Sequence, residues 1–197
     1  MLNIGVLVSG GGTNLQAIID EEKLGNIKGS IKVVISNKKD AFGLERARHN
    51  NIEAIYETNE DKVIEILKSH DIDLVVLAGY LKIISPKFVN EFRDKIINIH
   101  PSLIPSFCGE GYYGKKVHQG VLDYGAKVTG ATVHFVDEGA DTGPIIIQES
   151  IKVNNNDDCI SLAKRVLEIE HKILKRSIKL FCENKLSIHG RRVFINE

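Results

Sequence analysis

Leu2-Asn3-Ile4-Gly5-Val6-Leu7-Val8-Ser9 runs directly into Gly10-Gly11-Gly12-Thr13-Asn14, and Leu15-Gln16-Ala17-Ile18-Ile19 follows. The first stretch reads as a strand apolar on both faces, the composition of a parallel sheet covered by helices on each side. The last opens a helix. Strand, glycine loop and helix together make an anion site: glycines let backbone N–H groups approach an oxyanion, and the helix N-terminus adds positive partial charge. A phosphate is the expected anion, although a tight turn alone also uses glycines. A Walker A loop would need Gly-Lys-Ser/Thr, which is absent, and a dinucleotide fingerprint starting at Gly10 would need glycine where Leu15 stands. The next strand, Lys32-Val33-Val34-Ile35-Ser36, ends in Asn37 and not in the acid that would hold an adenosine ribose. The loop therefore favours a mononucleotide-sized ligand over a dinucleotide.

Working outward, residues 41–50 carry helical spacing, 54–56 form a short strand, 62–69 a helix and 73–79 a buried strand ending at Gly79. Alternation of this kind through residue 100 is the signature of right-handed βαβ units. The apolar Tyr80-Leu81-Lys82-Ile83-Ile84 sits in a loop position, where it either packs down or lines a pocket for a flat ring. A loop over 103–114, a helix over 115–124, an alternating strand over 129–136 with Thr132 and His134 on its polar face, and a strand resuming at Pro144 come next. The predicted fold is α/β: an open, mostly parallel twisted sheet with helices on both faces, Rossmann-like, ending in an antiparallel portion and a long C-terminal helix. That helix spans 158 to about 185, and residues 193–197 are either a short strand or a loose tail.

The run Ile96-Ile97-Asn98-Ile99-His100-Pro101-Ser102 ends a strand in polar groups, at the carboxyl edge where open sheets bind ligands. Asn98 and His100 are two apart, so an extended backbone points both to one face, and Pro101 stops the ladder. The bland alternative is a turn-capping Asn and a His that satisfies a carbonyl. The acidic turn Asp137-Glu138-Gly139-Ala140-Asp141 can carry Asp137 or Asp141 to the same edge, although such acids are usually solvated turn residues. An amide, an imidazole and a carboxylate without a nucleophilic Ser or Cys suit direct acyl transfer to an amine. Asn98 would donate to the developing oxyanion, His100 would stabilise it and give a proton, and Asp141 would orient the ring. At 100° per residue, Glu170 falls in the apolar arc of the last helix, so it either pairs internally or faces a ligand.

Lys and Arg number 26 against 26 Asp and Glu, which argues against nucleic acid or an anionic membrane as partner. The three scattered cysteines never form C-x-x-C, which fits a reducing compartment and no disulfide framework. No His, Cys or acid group has metal-ligand spacing, so no metal is expected. No apolar run is long enough for a membrane span, and no signal segment is evident; the expected location is cytoplasmic.

Ser9-Gly10-Gly11-Gly12-Thr13-Asn14-Leu15-Gln16, Leu77-Ala78-Gly79-Tyr80, Asn98-Ile99-His100-Pro101-Ser102-Leu103-Ile104-Pro105, and Thr132-Val133-His134-Phe135-Val136 with Asp141 resemble the folate-dependent formyltransferases over nearly the whole chain. The resemblance implies Asn98, His100 and Asp141 as the catalytic trio and 10-formyltetrahydrofolate as co-substrate. It implies that Gly12, Thr13 and Asn14 bind the phosphate of glycinamide ribonucleotide and that Glu170 holds its amine. Leu81, Lys82, Ile83 and Ile84 with Asn98, Asp137, Glu138, Gly139, Ala140 and Asp141 would bind the folate. Hydrolysis of the formyl donor, or another acceptor, is the alternative activity; a non-catalytic nucleotide-binding module is a further one. One domain is expected over 1–197, with 1–100 as the nucleotide-binding half and 101–197 completing the catalytic and folate site, without extra domains. The implied state is a monomer or homodimer.

Overall fold

The computed structural model describes residues 1–196. β1 (Leu2–Val8) leads through the glycine loop into α1 (Thr13–Lys23), followed by β2 (Gly29–Ser36), α2 (Phe42–His49) and β3 (Glu53–Tyr56). The alternation continues through α3 (Glu60–Ser69), β4 (Leu74–Leu77), α4 (Pro86–Glu91) and β5 (Ile96–His100). Beyond a long loop come α5 (Lys115–Tyr124), β6 (Val128–Phe135), β7 (Ile145–Lys152), α6 (Cys159–Cys182), β8 (Leu186–His189) and β9 (Arg192–Ile195). Among the described residues the nine strands make one sheet, ordered β3-β2-β1-β4-β5-β6-β7-β9-β8. Strands β1 to β5 pair in parallel, and β6 and β7 are antiparallel additions, as the alternation predicts. Chain order reverses between β1 and β4, which opens the crevice where sheets of this kind take ligands.

Strand alternation feeds two cores. Ile4, Val6 and Val8 of β1, Leu74 and Val76 of β4, and Ile97 and Ile99 of β5 join α1 and α6 on one face. Leu7, Val75, Leu77 and Ile96 join α3 and α4 on the other. Asn98 and His100 share the parity of Ile96 and so turn away from the α6 core. Helix α6 is begun by Asp158, whose carboxylate accepts from the N–H groups of Ile160 and Ser161 while Ser161 Oγ accepts from Asp158 N–H, a reciprocal cap. No helix among the described residues is long and apolar enough to cross a membrane.

Several boundaries differ from expectation. β2 starts three residues early because Leu2 already pairs with Gly29. Helix α4 lay in an unread stretch, although Ser85-Pro86 is a start signal: Ser85 Oγ accepts from Phe88 N, and proline occupies the first turn. α6 stops at Cys182, short of 185, and the chain turns back through β8. Residues 193–195 belong to β9, and the tail expected there extends to Glu197, which lies outside the described residues.

Ser177 sits in the buried arc of α6 with no exposure, and its Oγ has no hydrogen-bond partner among the described residues. A buried hydroxyl without a partner costs about 1–3 kcal/mol relative to an apolar group of the same shape. Ser177→Ala is therefore expected to leave thermal stability unchanged or raise it, read by calorimetry; a lowered melting temperature would contradict this packing.

Candidate active site

β5 runs past its parallel neighbour: Asn98 is level with Leu77, the last residue of β4, so His100 projects into the crevice. On the other side the ladder sets Asn98 opposite His134 and His100 opposite Thr132. His134 is almost fully buried. Its Nδ1 lies 2.8 Å from the Phe135 carbonyl, which can only accept, so Nδ1 carries the neutral ring's proton. Nε2 is left to accept from Asn98 Nδ2 at 3.1 Å. A sequence that shows Thr132 and His134 on one face does not say what lies across from them. His134 is the main residue missed, and the period-two alternation of its strand is the signal that could have found it.

Asp141 does reach the pair, but from an unexpected side. Because β6 is antiparallel, Phe135 lies beside Ile97, so the turn that follows leaves near the amino end of β5 and folds back over the sheet. Asp141 adopts a left-handed backbone, φ 57°, at the return. Its Oδ2 is 3.3 Å from His100 Nδ1 and accepts from Gly109 N–H at 2.9 Å. Its Oδ1 is 3.4 Å from Asn98 Nδ2 and 3.6 Å from His134 Nε2. Burial pushes the Asp141 carboxyl upward, but the neighbouring His134 and His100 rings and the Gly109 N–H outweigh it and hold the group below the usual range. Burial dominates at His100 and lowers its pKa, against the opposing pull of Asp141 and of the Phe107 carbonyl. His118 of α5, close to His100 and almost fully buried, is pushed down to about 4 by burial and stays neutral.

These groups open into a cavity of about 440 Å³. Asn14 and Glu170 line its far side, joined by a 2.8 Å hydrogen bond from Asn14 Nδ2 to Glu170 Oε2. Glu170 thus meets both readings of its phase: it pairs internally and faces the cavity. Burial raises its pKa. Leu81, Lys82, Ile83 and Ile84 line the mouth, with Leu81 and Ile83 exposed, and Asp137, Gly139 and Ala140 line the adjoining wall. Glu138 does not line the cavity: it is drawn outward into an ion pair with Arg93. Tyr80, Tyr112 and Tyr113 line it without having been singled out as binding residues.

Gly12 and Thr13 lie outside the cavity lining, on the loop that leads to Asn14. Gly12 is the residue before α1 and has φ 70°; a Cβ there would stand 2.6 Å from Gly43 Cα. Gly43 N–H donates to the Gly10 carbonyl at 2.9 Å, and Arg46 Nε donates to the Gly11 carbonyl at 2.8 Å. The loop is thereby pinned to α2, and with no side-chain cap on α1 its first-turn N–H groups stay open to an anion.

A doubly wound sheet whose crevice holds an amide, an imidazole and a carboxylate beside a glycine loop is an arrangement suited to group transfer. The formyl transferase family model matches residues 2–178. Phosphoribosylglycinamide formyltransferase of Escherichia coli strain K12 is 39% identical over 99% of this chain and 94% of its own length. The chloroplastic phosphoribosylglycinamide formyltransferase of Vigna unguiculata is 40% identical over 93% of this chain, which spans only 62% of that relative. Glycinamide ribonucleotide transformylase 1 from Symbiobacterium toebii superposes with a TM-score of 0.95 at 42% identity, covering 100% of this chain and 95% of that one. The chain belongs to the formyl transferase family, in its phosphoribosylglycinamide formyltransferase branch.

The raised pKa of Glu170 has a sign. An acid whose pKa rises on folding destabilises the fold once ionised, so stability falls as pH climbs from the ordinary 4.5 through the raised value. Glu170→Gln, which keeps an acceptor for Asn14, is expected to melt a few degrees higher than the parent at pH 7. The difference should vanish in melts below pH 4; a constant gap across that range would refute the burial argument.

Proposed function

We propose that this protein transfers the formyl group of 10-formyltetrahydrofolate to the amine of N1-(5-phospho-D-ribosyl)glycinamide, in de novo purine biosynthesis. The observation that carries the reading is that Asn98, His100 and Asp141 share one cavity with the Asn14 and Glu170 pair. A polar end that can hold an amine thus faces an imidazole and an amide that can hold an oxyanion. The names of the relatives support the same acceptor and the same transferred group.

In this reading the first-turn N–H groups behind Gly12, Thr13 and Asn14 hold the acceptor's phosphate. Glu170 accepts from its amine and sets the nitrogen lone pair toward the formyl carbon. Leu81, Ile83 and Ile84 supply an apolar wall for the folate ring, and Asp137, Gly139, Ala140 and Asp141 supply the backbone and carboxylate at its polar edge. Lys82, whose Nζ reaches the Thr58 carbonyl at 2.9 Å, marks the way out for the tail. Asn98 has one N–H committed to His134 and a second only loosely directed at Asp141, so the second can turn to the formyl oxygen as it becomes anionic. His100, whose charged form the Asp141 carboxylate favours at Nδ1, stabilises the same oxygen, supplies the proton that the departing folate nitrogen needs, and is recharged by the proton that the attacking amine sheds. The imidazolium and the amide provide the positive character of the site.

The same reading treats 1–197 as one formyltransferase domain, cytoplasmic, acting as a monomer or homodimer on small molecules and not on nucleic acid or membranes. His100→Ala is expected to lower formyl transfer at least ~100-fold, the usual size of a lost general acid. Near-normal turnover would remove His100 from the reaction. Offering glycinamide ribonucleotide, initiator methionyl-tRNA and water in parallel tests the acceptor: only the ribonucleotide is expected to be formylated, and deformylation alone would overturn the assignment.

A further inference from the structure

The loop after β5 does more than cover the cavity. Phe107 holds a left-handed backbone, φ 50°, which a non-glycine residue keeps only when its surroundings over-determine it. Those surroundings are aromatic. The Phe107 ring meets Tyr112 at 6.1 Å and Tyr124 at 5.9 Å, both edge to face. Beneath it α5 carries Gly120, where a Cβ would come within 3.4 Å of the Phe107 ring and 3.1 Å of Tyr112. The glycine is a shelf on which the ring rests.

The backbone consequence is specific. The Phe107 carbonyl faces His100 Nε2 at 3.0 Å, and two residues on, Gly109 N–H donates to Asp141 Oδ2 at 2.9 Å. One short turn therefore grips both members of the imidazole and carboxylate pair from their outer sides. A carbonyl can only accept, so Nε2 must carry hydrogen in the neutral ring. Nδ1, 3.3 Å from Asp141 Oδ2, is then the nitrogen that gains and loses the proton. We infer that Phe107, through its main-chain carbonyl and through its ring seated on Gly120, is a positioning residue that sets the tautomer and charge of His100.

This inference deepens the proposed formyl transfer and rests on His100 being its ionising group. The groups facing His100 are Asp141 from the turn, His134 from β6 and His118 from α5, with the Cys108 thiol beside Asp141. The Phe107 carbonyl favours the protonated ring, so its removal should move the His100 titration to lower pH.

The test uses the full chain with Gly120→Leu, which keeps a strong helix former in α5 while displacing the ring, together with Phe107→Ala and the conservative Phe107→Tyr. Nitrogen-15 NMR of the His100 ring reads tautomer and titration without any substrate. The parent is expected to show the Nε2–H tautomer. Gly120→Leu and Phe107→Ala should lose that preference and titrate at lower pH, and Phe107→Tyr should behave as the parent. Kinetically, the first two should lose about tenfold in kcat, the scale of one hydrogen bond to a charged group, with KM within roughly twofold. The limb of the kcat profile that falls as His100 deprotonates should move to lower pH. Folded Gly120→Leu and Phe107→Ala proteins with unchanged His100 tautomer and titration would overturn the inference. A parent chain with the expected ring signals but no formyl transfer to any acceptor would instead overturn the function reading and support the positioning role.

Discussion

The carboxylate of Asp141 is the group the site is built around. An ionised carboxylate out of water is tolerated only when charges and donors surround it, since the bare desolvation cost is several kcal/mol. Its partners come from separate segments: Asn98 and His100 from β5 and Gly109 from the loop beyond, with His134 of β6 holding the Asn98 amide in place. Each partner is thereby held in place by the need to satisfy one half-buried charge. The left-handed backbone at Asp141 is consistent with this, because the conformation is kept by the contacts of the side chain it presents.

The change from parallel to antiparallel pairing at β5 and β6 makes that convergence possible. In a purely parallel sheet the groups beyond the strand ends come from loops. Here an antiparallel neighbour sets His134 directly across the ladder from Asn98 and returns the next turn over the same face. The hydrogen bond of His134 to its own strand's Phe135 carbonyl then fixes which nitrogen meets the amide. The parallel half contributes separately, through the reversal between β1 and β4 and the glycine loop pinned to α2.

Some parts of this were legible along the chain and others were not. The glycine loop was visible as an anion site, but the need for glycine at 12 comes from Gly43, which packs against it from another helix. Glu170 stood out because a carboxylate in an apolar arc is conspicuous; that Asn14 meets it could not be read from spacing across 156 residues. In the acidic turn, Asp137 and Asp141 offered the same carboxylate, and only their surroundings send one to Thr142 and the Gly139 N–H and the other to two imidazoles. Phe107 gave no signal, since its carbonyl is a backbone group and its ring meets Gly120 and Tyr124 only once the loop has folded onto α5.

By itself the sequence determined the alternation of strand and helix, the buried character of the parallel strands, the shared face of Asn98 and His100, and the phase of Glu170. These follow from periods of 2 and 3.6 residues, which are local properties of the backbone. The tertiary structure alone decided that His134 lies opposite Asn98, that Asp141 arrives from the amino end of β5, and that Glu138 does not join it. Strand register and burial depend on contacts between distant segments, and no local period encodes them.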